Sequence, residues 1–187
     1  RARLVKCVMA QGQFDKARAA ITEYRTWMQG KEAVLDPKRA DKAQVREMTV
    51  RELDFTEADM AYREAYGDQT LNLKKDPSKY QGAIELLRTF AANYAKNKEG
   101  SIAQAIDSLG RLYADSGDLE KAEAAYMQVK DLDEQRASKL ATVIFSAYLG
   151  HADNLSKELD AAISGGKDKA AVDKTRTELT ATRTRLT

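Results

Sequence analysis

The chain has 187 residues, 32% of them charged, and its 31 basic and 29 acidic residues leave a net charge of only +2. A nearly neutral chain gives no indication of a nucleic-acid partner. One Cys and one His are too few to form a Cys/His metal site. No run approaches the roughly 18 consecutive apolar residues that a membrane span requires. Gly and Pro are scarce, and no long alternation of apolar and polar residues predicts a strand. We therefore expect an all-α chain without cofactor, metal, nucleic acid or membrane-inserted segment.

The chain opens with two predicted helices separated by a glycine. Arg1 already lies within the first of them, so we expect these residues to belong to a longer protein whose targeting segment would lie upstream. The compartment, cytoplasmic or periplasmic, therefore stays open. Gly12 is placed where a left-handed helix C-cap is expected. The apolar positions at helical spacing are Leu4 and Val8 before it and Ala17, Ile21 and Tyr24 after it.

A longer, irregular stretch follows at about residues 32–75. Asp36-Pro37 predicts a loop, and residues 40–73 are strongly helical in composition. Thr56 and Asp59 form a candidate capping box that would divide this segment into two helices. An apolar stripe that continues through the proposed break favours a single long helix instead; it consists of Val50, Leu53, Ala61 and Ala65. Both interpretations remain open.

The next predicted helix begins after the turn sequence Asp76-Pro77-Ser78. A looser connection is expected at residues 96–100, because this segment is polar and ends in Gly100. The apolar stripe of the helix between these two connections consists of Tyr80, Ala83, Leu87 and Phe90.

Residues 106–129 carry the most specific pattern in the chain. The first stripe has its members at i, i+3, i+4 and i+7, and residues 115–118 then break the helix. Small residues at Gly110 and Ala122 would let the two helix backbones approach closely, which predicts an antiparallel helical hairpin. The two stripes are Ile106, Leu109, Gly110 and Tyr113, then Ala122, Tyr126 and Val129, with Gly117 at the turn.

This spacing resembles the signature of the tetratricopeptide repeat (TPR) family, in which a large residue, Leu-Gly, Tyr, Ala and an aromatic residue recur at fixed offsets. The pattern returns at the start of the chain, where the residues around Gly12 keep the offsets of those around Gly117. The resemblance implies antiparallel helical hairpins stacked as a right-handed α-α superhelix over residues 1–165. The alternative is a simple helical-bundle core. The uneven spacing of Ala17, Ala83 and Ala122 predicts irregular repeats.

A degraded fourth copy is expected in the apolar segment 140–149. In this copy His151 stands at the position of the turn glycine, Gly117 in the clearest copy. Ser156 stands at the position of the small alanine of the second helix, Ala122 in the clearest copy. Residues 166–187 are expected to form a C-terminal capping helix or tail. Its weak apolar seam recurs every seven residues, at Val172, Leu179 and Leu186.

The resemblance also implies a partner-binding concave groove lined by the first helix of each pair. In the clearest copy its positions are Gln104, Asp107, Arg111, Ala114 and Asp115. The first copy contributes Ala2, Lys6 and Met9, and the fourth contributes Ala141, Phe145 and Tyr148. Phe145 and Tyr148 are candidate aromatic anchors, with burial beneath the C-terminal helix as the alternative. Some family members clamp the C-terminal carboxylate of a partner with Lys and Asn, but Asp107 and Arg111 stand at those positions here. The resemblance therefore does not favour binding of a C-terminal carboxylate.

These observations favour a non-enzymatic scaffold that binds another protein or peptide. Cys7 and His151 are the chain's single thiol and imidazole, and a Cys on a repeat helix is more often core filler than a nucleophile. The alternative is a structural or regulatory segment of a larger enzyme or of a bacterial envelope-assembly complex. The segment from Ala83 to Tyr126 resembles repeats of bacterial envelope-assembly lipoproteins, although Ala95 stands where those have Pro after the Tyr.

Overall fold

The computed structural model describes residues 2–29, 42–96, 100–166 and 168–185, with the backbone alone for residues 2–4 and 42. Within these ranges the chain is all-α and contains no extended strand, as expected. The predicted loop at Asp36-Pro37 lies outside the described residues. Among the described residues, no helix combines the length and apolarity needed to cross a bilayer. The α-helices are α1 (Ala2–Ala10), α2 (Phe14–Gln29), α3 (Lys42–Tyr66), α4 (Tyr80–Asn93), α5 (Gly100–Asp115), α6 (Leu119–Lys130), α7 (Glu134–Ser164) and α8 (Lys169–Thr184).

The chain divides into two compact units, Arg1–Ser108 and Leu109–Thr187. The division falls within α5, and each unit has buried residues of its own. In unit 1 a core cluster joins residues of α1, α2 and α3. Its fully or nearly fully buried members are Val5, Phe14, Ala17, Ile21, Met28, Leu53 and Met60.

The predicted turn between α1 and α2 is confirmed. Gly12 has a φ of +70°, and the amides of Gly12 and Gln13 donate to the carbonyls of Met9 and Val8. These bonds satisfy carbonyls at the end of α1, as an αL glycine cap does. The following helix buries Ala17 and Ile21, both members of the predicted stripe.

Residues 42–66 form one continuous helix, which decides between the two interpretations of this segment in favour of the long helix. The Thr56 hydroxyl donates to the Glu52 carbonyl one turn earlier, and the Asp59 carboxylate accepts from Arg63 one turn later. Neither residue caps a helix. The helix ends at Tyr66, before the predicted limit of 73, because Gly67 adopts a φ of +90°.

The helix α4 matches its predicted start and its predicted stripe. Asp76 accepts from the Ser78 amide and caps a single 3-10 turn, Pro77–Lys79, that leads directly into the helix. The buried residues of α4 are Tyr80, Ala83, Leu87 and Phe90, the four residues predicted for its core face.

In unit 2 the turn before α6 also forms as expected. Gly117 has a φ of +83°, and the Asp118 carboxylate accepts from the Lys121 amide as a helix cap. Gly110 of α5 lies against α6 and α7, since a Cβ built on it would stand 3.2 Å from the Ala125 Cβ and 2.7 Å from Leu140 Cδ2. Ala122 is fully buried.

The predicted helix turn at His151 is wrong. The helix α7 runs without a break from Glu134 to Ser164, because its buried seam continues past Gly150 and His151 through Ala152 and Leu155. The helix α8 then packs on α7, with Leu179 against Ala152 and Leu155. Leu186, the last member of the predicted seam, lies outside the described residues.

Candidate interaction groove

A groove follows α3 on the surface of unit 1, and two adjoining cavities of 310 Å³ and 530 Å³ form it. Both cavities are lined by Lys6, Glu52 and Phe55, so they adjoin at the middle of α3. The helix α1 borders the smaller one with Met9 and Ala10. We call this feature the α3 groove; its further lining residues are Val45, Met48, Thr49, Arg51, Thr56, Asp59, Arg63 and Ser101.

The floor of the α3 groove is mainly apolar. Met48 is 51% exposed although it is a large hydrophobic residue. Phe55 is half-buried and lines both cavities, with its ring 5.3 Å from that of Phe90 on α4. Methionine adapts its shape to a partner surface, and aromatic groups are enriched in binding hot spots. The groove therefore offers an adaptable methionine and an aromatic ring that is packed against α4.

An ion pair lies at the middle of the groove. The Lys6 ammonium group on α1 pairs with the Glu52 carboxylate on α3, and both side chains remain substantially exposed. Because both residues line both cavities, any molecule that occupies the whole groove meets these two charges. The pair places positive charge on the α1 side and negative charge on α3.

A buried carboxylate lines the smaller cavity of the groove. Asp59 accepts hydrogen bonds from Arg63 Nε at 2.9 Å and from Gln104 Nε2 at 3.3 Å. Arg63 Nη1 also donates to Asp68 at 2.9 Å, so this arginine joins two carboxylates. Burial raises the pKa of Asp59 above its ordinary value, although the neighbouring Arg63 charge and the two hydrogen bonds act in the opposite direction.

This raised pKa predicts a pH-dependent contribution to stability. The folded chain holds the Asp59 proton to a higher pH than the unfolded chain does, so Asp59 stabilises the fold fully below about pH 3.9 and loses that contribution as the pH rises through its folded pKa. We expect the free energy of unfolding of the wild type, relative to Asp59→Asn, to fall as the pH rises from about 4 through the raised pKa of Asp59. Denaturant titrations at several pH values measure this difference.

Asp76→Asn provides the matched control. The Ser78 hydroxyl and amide hydrogen bonds lower the pKa of Asp76, so its stabilising contribution is lost only as the pH falls below the ordinary range of a carboxyl. The difference in free energy of unfolding between the wild type and Asp76→Asn should stay nearly constant over the same pH interval. If the difference in free energy of unfolding between the wild type and Asp59→Asn is also constant, or rises with pH, the pKa of Asp59 is not raised in the folded chain.

A second polar cluster in unit 1 joins α2, α3 and the end of α4. Arg25 Nη2 lies 2.6 Å from Asp54 Oδ1 and 2.8 Å from Glu57 Oε2, while the Tyr94 hydroxyl donates to Asp54 Oδ2 at 2.6 Å. Partial burial and the neighbouring Asp54 raise the pKa of Tyr94 to about 12. The hydroxyl therefore remains a donor at physiological pH, and Tyr94 anchors the C-terminal end of α4 to α3.

The predicted groove residues on α5 differ widely in exposure. Gln104 reaches the wall of the α3 groove through Asp59. Asp107 and Ala114 are buried, Arg111 is half-buried and Asp115 is exposed. Burial removes Asp107 and Ala114 from the surface that a partner can touch, and a binding role for the other three stays a prediction.

Two predicted positions of the first copy, Lys6 and Met9, line the α3 groove. The side chain of Ala2 lies outside the described residues. Sequence reasoning missed Val45, Met48 and Phe55, because the segment that contains them was interpreted as an irregular insertion. Their spacing of three and seven residues places them on one stripe of α3, and this is the signal that would have found them.

In unit 2 the two predicted aromatic anchors behave differently. Phe145 is 49% exposed, whereas Tyr148 is buried. The Tyr148 hydroxyl donates to Glu123 Oε1 at 2.7 Å and accepts from Arg185 Nη1 at 3.0 Å, so it ties α6 and α7 to the end of α8. The burial alternative thus holds for Tyr148 and fails for Phe145. Ala141 is half-buried.

Within the described ranges no three His, Cys, Asp or Glu residues come together in a group that would hold a metal ion. Cys7 is exposed on α1, and His151 is exposed on α7. No known family model matches the chain, and neither a curated protein nor a solved structure matches it.

Proposed function

We propose that this chain is a non-enzymatic protein-interaction scaffold that holds a segment of another protein in the α3 groove. The observation that carries the proposal is the apolar surface of that groove, where the half-exposed Met48 and the ring of Phe55 line the same cavity. Methionine is over-represented at binding surfaces that adapt to a partner, which supports this role for the groove.

The stacked-hairpin architecture of a TPR protein is part of this proposal. Two helix pairs support it, α1 with α2 and α5 with α6, because each turns at a left-handed glycine and each buries an alanine five residues later. Gly12 has a φ of +70° and Gly117 a φ of +83°. The alanines are Ala17 and Ala122, and both are fully buried.

Replacement of Met48 tests the proposed function. The wild-type chain and Met48→Glu are immobilised and exposed to an extract of the source cells, and the captured proteins are quantified by mass spectrometry. We expect a specific partner to bind the wild type and to be at least tenfold depleted from the variant, because a charge on the groove floor opposes apolar contact. Because Met48 is exposed, thermal stability should change little.

Met127→Glu and Phe145→Glu are the matched controls. Both residues are exposed apolar side chains of unit 2, at 59% and 49%, and neither lines the α3 groove. Retention of the partner by both variants supports the groove as the binding surface. Loss with Phe145→Glu and retention with Met48→Glu would instead place the partner on α7. Equal retention by all three variants would contradict an apolar interaction surface and favour a structural segment of a larger protein.

A further inference from the structure

We infer that the α3 groove accepts an amphipathic α-helix of a partner protein, and that the Lys6–Glu52 ion pair fixes the direction in which this helix lies. The inference rests on the proposed function, which it extends from a surface to a class of partner and a geometry. Three properties of the groove support it: its borders are helices, its length matches a helix of several turns, and its two sides carry opposite charges.

The borders of the groove favour a helical occupant over an extended one. All lining residues lie on the helices α1, α3 and α5, so no strand edge borders the groove. An extended segment would find no backbone edge to pair with, and its own amides and carbonyls would be buried without partners against apolar side chains. A helix bonds its own backbone and presents only side chains.

The length of the groove matches a helix of several turns. Its lining residues on α3 run from Val45 to Arg63, which corresponds to about 27 Å at 1.5 Å per residue. An antiparallel or parallel helix of about 18 residues covers this distance. Three or four apolar residues at a spacing of i, i+3 or i+4 and i+7 would then contact the floor around Met48, Phe55 and Met9.

The ion pair gives the groove a transverse polarity. Lys6 lies on the α1 side and Glu52 on α3, and both face the two cavities. A partner helix with acidic residues along one flank and basic residues along the other is attracted when its acids lie beside Lys6. If the helix is turned end for end on the groove floor, the flanks exchange sides and like charges meet. The charge pattern of the partner therefore selects one direction.

Three synthetic 18-residue peptides test this inference on the full chain. The first has a leucine stripe with Glu on one flank and Lys on the other, and the second has the flanks exchanged. The third is the first with a central proline, which breaks the helix. Each has a photo-crosslinker at its N-terminus, and the crosslinked residues of α3 are identified by mass spectrometry.

We expect the first two peptides to crosslink at opposite ends of α3, one near Val45 and the other near Arg63. The charge-exchanged double variant, Lys6→Glu with Glu52→Lys, should reverse both directions while it keeps the ion pair. The proline peptide should bind at least tenfold more weakly. A matched exchange on α4, Glu85→Arg with Arg88→Glu, should change nothing, since this exposed pair lies outside the groove.

Other outcomes overturn the inference in distinguishable ways. If the proline peptide binds as tightly as the first, the occupant is not helical. If both flank patterns crosslink at the same end, or if the Lys6–Glu52 exchange has no effect, the ion pair does not set direction. If no peptide binds but a cellular partner is still lost with Met48→Glu, the inference fails and the proposed function stands. If neither a peptide nor a partner depends on the groove, both fail.

Discussion

Phe90→Ala is expected to lower the free energy of unfolding by about 3–5 kcal/mol, the range for deletion of a buried aromatic ring. Phe90 is 2% exposed. Its ring centroid lies 5.3 Å from that of Phe55 on α3 and 5.0 Å from that of Tyr94 at the end of α4. The substitution therefore removes contacts between α3 and α4 and leaves a cavity beneath the groove floor. Equilibrium denaturation in urea measures the loss.

Leu86→Ala is the control on the same helix. Leu86 is 39% exposed and lies off the buried seam, so its truncation should cost less than about 1 kcal/mol. Equal losses for the two variants would contradict the assigned face of α4. Because Phe55 lines the groove, Phe90→Ala should also weaken partner binding at temperatures where the chain is still folded, whereas Leu86→Ala should not.

The face of α4 shows what the sequence was able to predict. Its four core residues and its start after Asp76 follow from local information, namely helical spacing and turn chemistry within about 15 residues. The turns at Gly12 and Gly117 were predictable for the same reason, since a left-handed cap depends on the glycine itself. The all-α class likewise depends only on composition and periodicity.

The continuation of α7 through His151 could not be predicted in this way. The repeat register placed a turn there, and Gly150 beside His151 would have been compatible with one. Buried contacts on both sides of His151, at Tyr148 and Ala152, stabilise the helical conformation instead. Tertiary packing thus outweighed the register that the resemblance supplied.

The α3 groove depends on residues far apart in the chain, and this is why sequence reasoning missed most of it. Lys6 and Glu52 meet only because α1 packs beside α3. Asp59 and Gln104 meet because α5 passes the same helix. Periodicity places a residue on a face, but it does not show which neighbouring helix leaves that face uncovered. Lys6 and Met9 were named because they belong to a recognisable copy of the repeat, whereas α3 belongs to none.

Gly110 provides the sharpest test of close helix packing in unit 2. A methyl group at this position would stand 2.7 Å and 3.0 Å from the two Cδ atoms of Leu140 and 3.2 Å from the Ala125 Cβ. Overpacking of this kind costs about 1–3 kcal/mol, against a helix-propensity gain of about 0.5–1 kcal/mol for Ala over Gly. We expect Gly110→Ala to be destabilising on balance. In Gly150→Ala the new methyl group meets no atom within 4 Å, and this variant should be stabilised by about 0.5–1 kcal/mol.

A double-mutant cycle with Leu140→Ala identifies the physical cause. Leu140 is fully buried, so the single substitution should cost about 2–5 kcal/mol. It also removes both Cδ atoms that oppose a methyl group at position 110, and in this background Gly110→Ala should become neutral or stabilising. The expected coupling free energy is about 1–3 kcal/mol. Strict additivity in chemical denaturation would show that the cost of the methyl group does not arise from its contact with Leu140.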